Sequence, residues 1–128
     1  MTRGLADTSV FIASESGRRL HTADLPDELA ISIVTVGELR AGVLAATDLE
    51  TRDRRLSTLM GALDLTPLPV DEPVADAWAR LRVMLRERGM KMPINDSWIA
   101  ATAMAHDLPV VTQDADYVQL PGLTVIRV

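Results

Sequence analysis

The chain predicts an α/β fold on a mostly parallel sheet, and three observations lead there. Brief apolar runs alternate with longer helix-forming stretches from end to end. The brief runs carry the β-branched residues expected of buried strands. No repeat, low-complexity segment or linker divides the 128 residues, so they read as a single domain, long enough to bury a core. In order, Leu5-Ala6-Asp7 is a first strand ending in an acid, and Thr8-Ser9 starts a helix through Val10 to Ala13. Leu29 to Val34 is a second strand. Thr35 then stands as an N-cap, with Glu38 at the capping-box spacing and a helix running to about Ala46. Thr47-Asp48 opens another helix, whose Leu56, Leu59, Met60 and Leu63 form an apolar stripe. Residues 63–70 form a third short strand closed by Pro67 and Pro69. Asp71-Glu72-Pro73 begins a long helix that Gly89 stops. Asn95 and Asp96 head a further helix, Val110 to Thr112 is a strand, and residues 123–128 are the last.

Composition removes several function classes. Hydrophobic residues make up 48% and charged residues 24%, as in an ordinary soluble globular protein. No apolar run approaches the roughly 20 residues of a membrane span, and Asp7 interrupts the N-terminal apolar stretch that a secretory signal would need. With no cysteine, disulfides and thiolate metal sites are absent, which suits a cytoplasmic location. The net charge of −5 argues against holding nucleic acid by bulk electrostatics, but leaves room for a local basic patch or for acids gathered round a metal.

Open parallel sheets place their sites outside the carboxyl ends of the strands. Asp7 ends the first strand there, Glu38 follows the second, Asp114 and Asp116 follow Thr112, and Asp96 heads the helix leading into that last strand. Singly, each has an ordinary explanation: a helix cap for Asn95 or Asp96, a capping box for Glu38, turn acids for Asp7, Asp114 and Asp116. Together they bring carboxylates from four segments to one edge. Such a set repels itself unless a cation intervenes. Its oxygen-only chemistry favours Mg²⁺, with Mn²⁺ as a substitute, over zinc.

The segments "ADTSVFIA" at 6–13, "SIVTVGELRAGV" at 32–43, "INDSWIAATA" at 94–103 and "PVVTQDADY" at 109–117 resemble the PIN-domain ribonucleases, and most of all the VapC-type toxins of virulence-associated-protein (VapBC) toxin–antitoxin pairs. The resemblance implies a three-layer α/β/α sandwich and a magnesium-dependent endoribonuclease. The family is usually a homodimer, neutralised by a cognate antitoxin in a heterotetramer or larger complex. Asp7, Glu38 and Asp96 match the family's most regular acids, with Asp114 or Asp116 as the fourth, and these same residues would hold the metal. Thr8, Ser9 and Thr112 match supporting hydroxyl positions. The implied reaction is attack of a metal-activated water on an RNA phosphodiester, transfer or ribosomal, leaving 5′-phosphate and 3′-hydroxyl ends. Many members have Asp-Phe where this chain has Asp116-Tyr117, read here as a harmless exchange of aromatic rings.

Arg80, Arg82, Arg86, Arg88 and Lys91 read either as a rim that binds the RNA backbone or as a solvated helix face. The Leu56–Leu63 stripe reads as core, with the antitoxin groove as the family's alternative. Trp78 and Trp98 read as core anchors. Aromatics at 3% leave little for a base-stacking platform. A receiver domain is set aside because the only lysine, Lys91, precedes Asp96. A haloacid-dehalogenase-type phosphatase is set aside because Ser9 stands where its second Asp belongs. A flap-type DNA nuclease lacks room for its helical arch. The remaining alternative is a catalytically weak PIN-like domain serving as a protein-binding or autoregulatory module.

Overall fold

Strand β1 (Arg3–Ala6) is the second of four in a sheet whose other members are β2 (Glu28–Ile31), β3 (Val110–Thr112) and β4 (Val125–Arg127). The computed structural model describes residues 1–128. The sheet order is β2-β1-β3-β4, and every neighbouring pair is parallel. All four strands therefore end at one edge.

Helices cover both faces, giving a three-layer α/β/α sandwich. Leu5, Ala30 and Val110 point to one face, where they pack with Leu81 and Leu85 of α4 (Glu72–Glu87) and Ile99, Ala100 and Ala103 of α5 (Ile94–Ala105). Their strand neighbours Ala6 and Val111 point the other way, onto Val10 of α1 (Thr8–Glu15). Ile31, on that same face, packs under α2 (Ile33–Ala45) and α3 (Leu49–Leu63) through Val36, Leu39, Leu59 and Ala62. The two-residue alternation of a strand thus splits one apolar run into two cores. Gly4 is needed between them: a Cβ there would lie 2.7 Å from Val111 Cγ2 and 2.9 Å from Pro26 Cγ.

Three boundaries differ from the sequence reading. Helix α2 starts at Ile33, because Ser32 rather than Thr35 is its N-cap, its Oγ accepting from Val34 N at 3.1 Å. The β-branched Ile33 and Val34 are drawn into the first turn by that cap, and Val34 by packing on the core, against their strand preference. Glu38 is consequently no capping-box residue and its carboxylate is left for other work. Residues 63–70 form no strand: one parallel bridge joins Ser32 and Leu68, with Leu68 N on Ile31 O and Ile33 N on Leu68 O. Pro67 and Pro69 lack the N–H groups that would extend it. The last strand is shorter than expected, since Leu123 pairs back with Leu120 before β4 begins.

Of the α3 stripe, Leu59 is buried, whereas Leu56 and Met60 are exposed. Trp78 and Trp98 are half-buried, not fully buried. Their rings stack at 4.4 Å across the α4–α5 seam, and Trp78 Nε1 donates to Ser97 Oγ at 3.0 Å. An indole N–H needs such a partner, which places the pair at the seam rather than in the deepest core. No helix is long and apolar enough to cross a membrane.

Candidate metal centre

Asp7 is the innermost acid, 2% exposed at the junction of β1 and α1. It sits at the N-cap position of α1 without capping the helix. Its carboxylate instead turns to side chains from three other places. Ser9 Oγ and Thr112 Oγ1 donate to Oδ2 at 2.7 and 2.6 Å, and Tyr117 Oη donates to Oδ1 at 3.3 Å. The same hydroxyls receive the next loop: Gln113 N donates to Ser9 Oγ at 3.0 Å, and Asp114 N to Thr112 Oγ1 at 2.8 Å. Asp7 is thus linked through two hydroxyls to the backbone that presents Asp114.

Glu38 lies in the second turn of α2. Thr8 Oγ1 donates to its Oε1 at 2.7 Å and lies 3.0 Å from the buried Thr35 Oγ1. Thr35 was expected as a cap; its hydroxyl is inside, beside this pair.

Asp96 is in the first turn of α5, three residues past the N-cap position, Pro93. Neither Asn95 nor Asp96 caps the helix, and the hydrocarbon ring of Pro93 has no acceptor to do so. Carboxylate oxygens of Asp96, Asp114 and Asp116 approach to within 4.8 Å of one another. The Asp114–Asp116 turn is tightened by Asp116 N donating to Asp114 Oδ1 at 2.9 Å, so both acids of the motif face the cluster's segment.

No arginine or lysine forms an ion pair with any of these five acids; the two ion pairs of the chain are Arg3 with Glu28 and Arg80 with Asp76. The consequence is visible on Asp96. Burial, then the negative charges of Asp7, Asp114, Glu38 and Asp116, push its carboxyl up from 3.8 to about 7. Burial and the same negative field hold the Tyr117 phenol protonated, well above its ordinary range. Three converging carboxylates, no sulfur or imidazole and no internal counter-charge are a donor set suited to a hard divalent cation.

The basic residues divide. Arg82, Arg86 and Lys91 line a groove of about 560 Å³ with Leu85, Gly89, Met90 and Met92, and no acid enters it. Arg82 also lies over Trp78, 5.4 Å from the ring centroid. Arg80 and Arg88 line a different surface with Val83, Glu87 and Pro121, and Arg80 pairs with Asp76. The helical repeat of α4 separates the two sets, so the five do not form one rim. The groove's Gly89–Met92 loop leads straight into the turn bearing Asp96.

Two site contacts lay beyond sequence reasoning. Tyr117 Oη reaches Asp7 from a position whose ring alone looked meaningful, and Thr35 adjoins Thr8 and Glu38 because α2 starts early. The pairing of "Asp-Tyr" with a buried acid at a strand end is the one signal that could have pointed to the first.

Comparisons agree with this geometry. The PIN domain family model matches residues 5–123. Ribonuclease VapC5 of Mycobacterium tuberculosis is 50% identical over 125 residues, covering 98% of this chain and 93% of that protein. Ribonuclease VapC4 of the same organism is 49% identical over 126 residues, covering 98% and 97%. Among solved structures, a VapBC-family member from Mycobacterium tuberculosis, VapBC-5, superposes with a TM-score of 0.92 at 46% identity, covering 100% of each chain. DNA-bound VapBC from Salmonella typhimurium matches with a TM-score of 0.82 at 23% identity over 99% of this chain and 98% of that one, a likeness of fold alone.

Proposed function

Because the chain belongs to the PIN-domain family, and within it to the VapC-type toxins of VapBC toxin–antitoxin systems, we propose that it is a divalent-metal-dependent endoribonuclease restrained by a cognate antitoxin. The observation that carries this reading is the approach of Asp96, Asp114 and Asp116 without any cationic side chain among them. Mg²⁺, or Mn²⁺ in its place, suits these oxygen donors. Such an ion supplies an acidified, oriented water and neutralises charge gathering on a phosphoryl group.

The chain's own residues take separable roles. Asp7 and Asp96 would hold the ion, with Asp114 and Asp116 closing the set from the loop. Thr112 and Ser9 fix Asp7 Oδ2, so the buried carboxylate keeps one orientation. Glu38, fixed by Thr8, would accept the proton released as a nucleophile forms. Arg82, Arg86 and Lys91 bind RNA phosphates beside Asp96, while Arg80 and Arg88 contribute little. The exposed Leu56 and Met60 of α3, the helix that also gives Arg55 to a cleft lined by Ile12, Glu38, Leu39 and Gly42, form part of the antitoxin's docking surface. The relatives named for ribonuclease activity, and the VapBC-5 complex, support both halves of the proposal.

Total cellular RNA incubated with the antitoxin-free protein tests it. Mg²⁺ should yield discrete new 5′ ends that vanish with EDTA and with Asp7→Asn. Cleavage that persists in EDTA, or with Asp7→Asn, would sink the reading.

A further inference from the structure

Beyond Thr112 the chain leaves the sheet into the loop that carries Asp114 and Asp116. Strand β4 lies alongside, with Arg127 in register with Thr112. Arg127 Nη1 donates to the Asp114 carbonyl at 2.5 Å, and Nη2 donates to the Tyr117 carbonyl at 2.6 Å. One guanidinium therefore bridges the two ends of the acid-bearing turn. It forms no ion pair with a carboxylate, so its charge stands behind the loop rather than being cancelled by a single acid.

The loop needs a restraint. Asp114 and Asp116 are brought within 4.8 Å of Asp96, and like charges at that separation push apart. Inside the turn, the Asp116 N–Asp114 Oδ1 and Asp114 N–Thr112 Oγ1 bonds oppose opening, and Gln113, the residue before it, is anchored by its N–H on Ser9 Oγ. Thr112 tethers the start of the turn, and the buried Tyr117 tethers its end. The Asp7 carboxylate joins these two tethers through their hydroxyls, and Arg127 joins the ends of the turn through its backbone carbonyls. A planar fork with two parallel donors fits a pair of carbonyls, which a lysine's single ammonium does not match.

We propose that Arg127 is the positioning residue of the acid cluster: it holds the Asp114–Tyr117 turn closed on Asp96 and so presets the site for a divalent cation. This rests on reading the acids as a cation site. Partners of that kind, one bond removed from the ligands, typically govern 10–100-fold in metal affinity.

The test compares wild type, Arg127→Met and Arg127→Lys by Mn²⁺ titration calorimetry and by amide hydrogen exchange without metal. Arg127→Met should weaken Mn²⁺ binding by about 10–100-fold. It should also speed exchange at the Asp114 and Asp116 amides while leaving the Leu5 and Asp7 amides, bonded within the sheet, as slow as before. Saturating Mn²⁺ should restore slow exchange in the loop, and Arg127→Lys should fall between. Unchanged loop exchange overturns the proposal. So does acceleration of the sheet amides equal to that of the loop, which would mean general loosening. A wild type that binds no Mn²⁺ would instead defeat the metal reading, with the exchange measurement still deciding whether Arg127 holds the turn.

Discussion

The two halves of the acidic site solve the same problem differently. In the inner half, buried Asp7 is met by three hydroxyls, from Ser9, Thr112 and Tyr117. Neutral donors satisfy its oxygens, and no buried side-chain polar atom of the chain lacks a partner. In the outer half, Asp96, Asp114 and Asp116 approach one another with no hydroxyl and no cationic side chain between them. The inner half has its hydrogen bonds made as the chain folds, which fixes Asp7 in place for the ion it would share with Asp96. The outer half is electrostatically unfinished, and Asp96 registers this in its raised pKa. A divalent cation would complete the second arrangement, whereas the first has its partners already.

The strongest way to break this contrast is to remove an acid from the outer half. Asp96→Asn should leave the fold intact, because Asp96 caps nothing and makes no ion pair. It should lower RNA cleavage by more than about a hundredfold, since changing even an outlying partner of a metal ligand costs about 10–100-fold. Cleavage rates with Mg²⁺, alongside circular dichroism, check both parts. A soluble and fully active Asp96→Asn protein would remove Asp96 from the chemistry.

The next effect separates the two sets of cations. Arg86→Glu with Lys91→Glu should raise KM for RNA while leaving kcat and Mn²⁺ affinity near wild type. The salt dependence of RNA binding should also fall by about one unit of slope per cation lost. Arg80→Glu with Arg88→Glu should do much less, as Arg80 is already paired and both line the far surface. Equal effects from the two pairs would restore the single rim that the sequence suggested.

That division marks the boundary of what the sequence reveals. The alternation of elements, the parallel sheet and the five acids at one edge could be read because each depends on local pattern and on a general rule of α/β topology. The start of α2 could not: Ser32 and Thr35 are both credible caps, and the choice rests on how the chain leaves β2. The strand expected at 63–70 failed because two prolines leave it one bridge. Arg80 and Arg82 look equivalent in sequence, yet the turn of α4 sends one to Asp76 and the other over Trp78. Arg127 stands a dozen residues beyond the acids that its guanidinium spans, and nothing local announces it.

A smaller effect concerns pH. The Asp96 carboxyl ordinarily titrates near 3.8 but here near 7. Below 3.8 it is protonated in folded and unfolded chains alike, and its favourable contribution is fully present. As pH rises toward 7 the unfolded chain gives up this proton while the folded chain keeps it, so stability falls; above about 7 both are ionised and the loss levels off. In metal-free protein, Asp96→Asn should therefore flatten the decline of Tm between about pH 4 and 7. Added Mn²⁺ at pH 6 should release protons, and calorimetry in buffers of different ionisation enthalpy would count them. An unaltered Tm profile in Asp96→Asn would show that the outer acids are not crowded in solution.

The least effect is expected in the inner half. Tyr117→Phe restores the ring common in the family and removes only the 3.3 Å donor to Asp7 Oδ1, leaving both hydroxyls on Oδ2. A hydrogen bond from a neutral donor to a carboxylate contributes about 1.5–3 kcal/mol, and the long 3.3 Å distance puts this one at the low end. Denaturant unfolding should thus show a loss of that order, with the m-value unchanged because the ring keeps its place in the core. Metal affinity should not fall, since a cation and a phenol proton would otherwise compete for the same oxygen. If Tyr117→Phe weakened Mn²⁺ binding as much as Arg127→Met, the hydroxyls of the inner half would belong to the metal site as fully as the outer acids do.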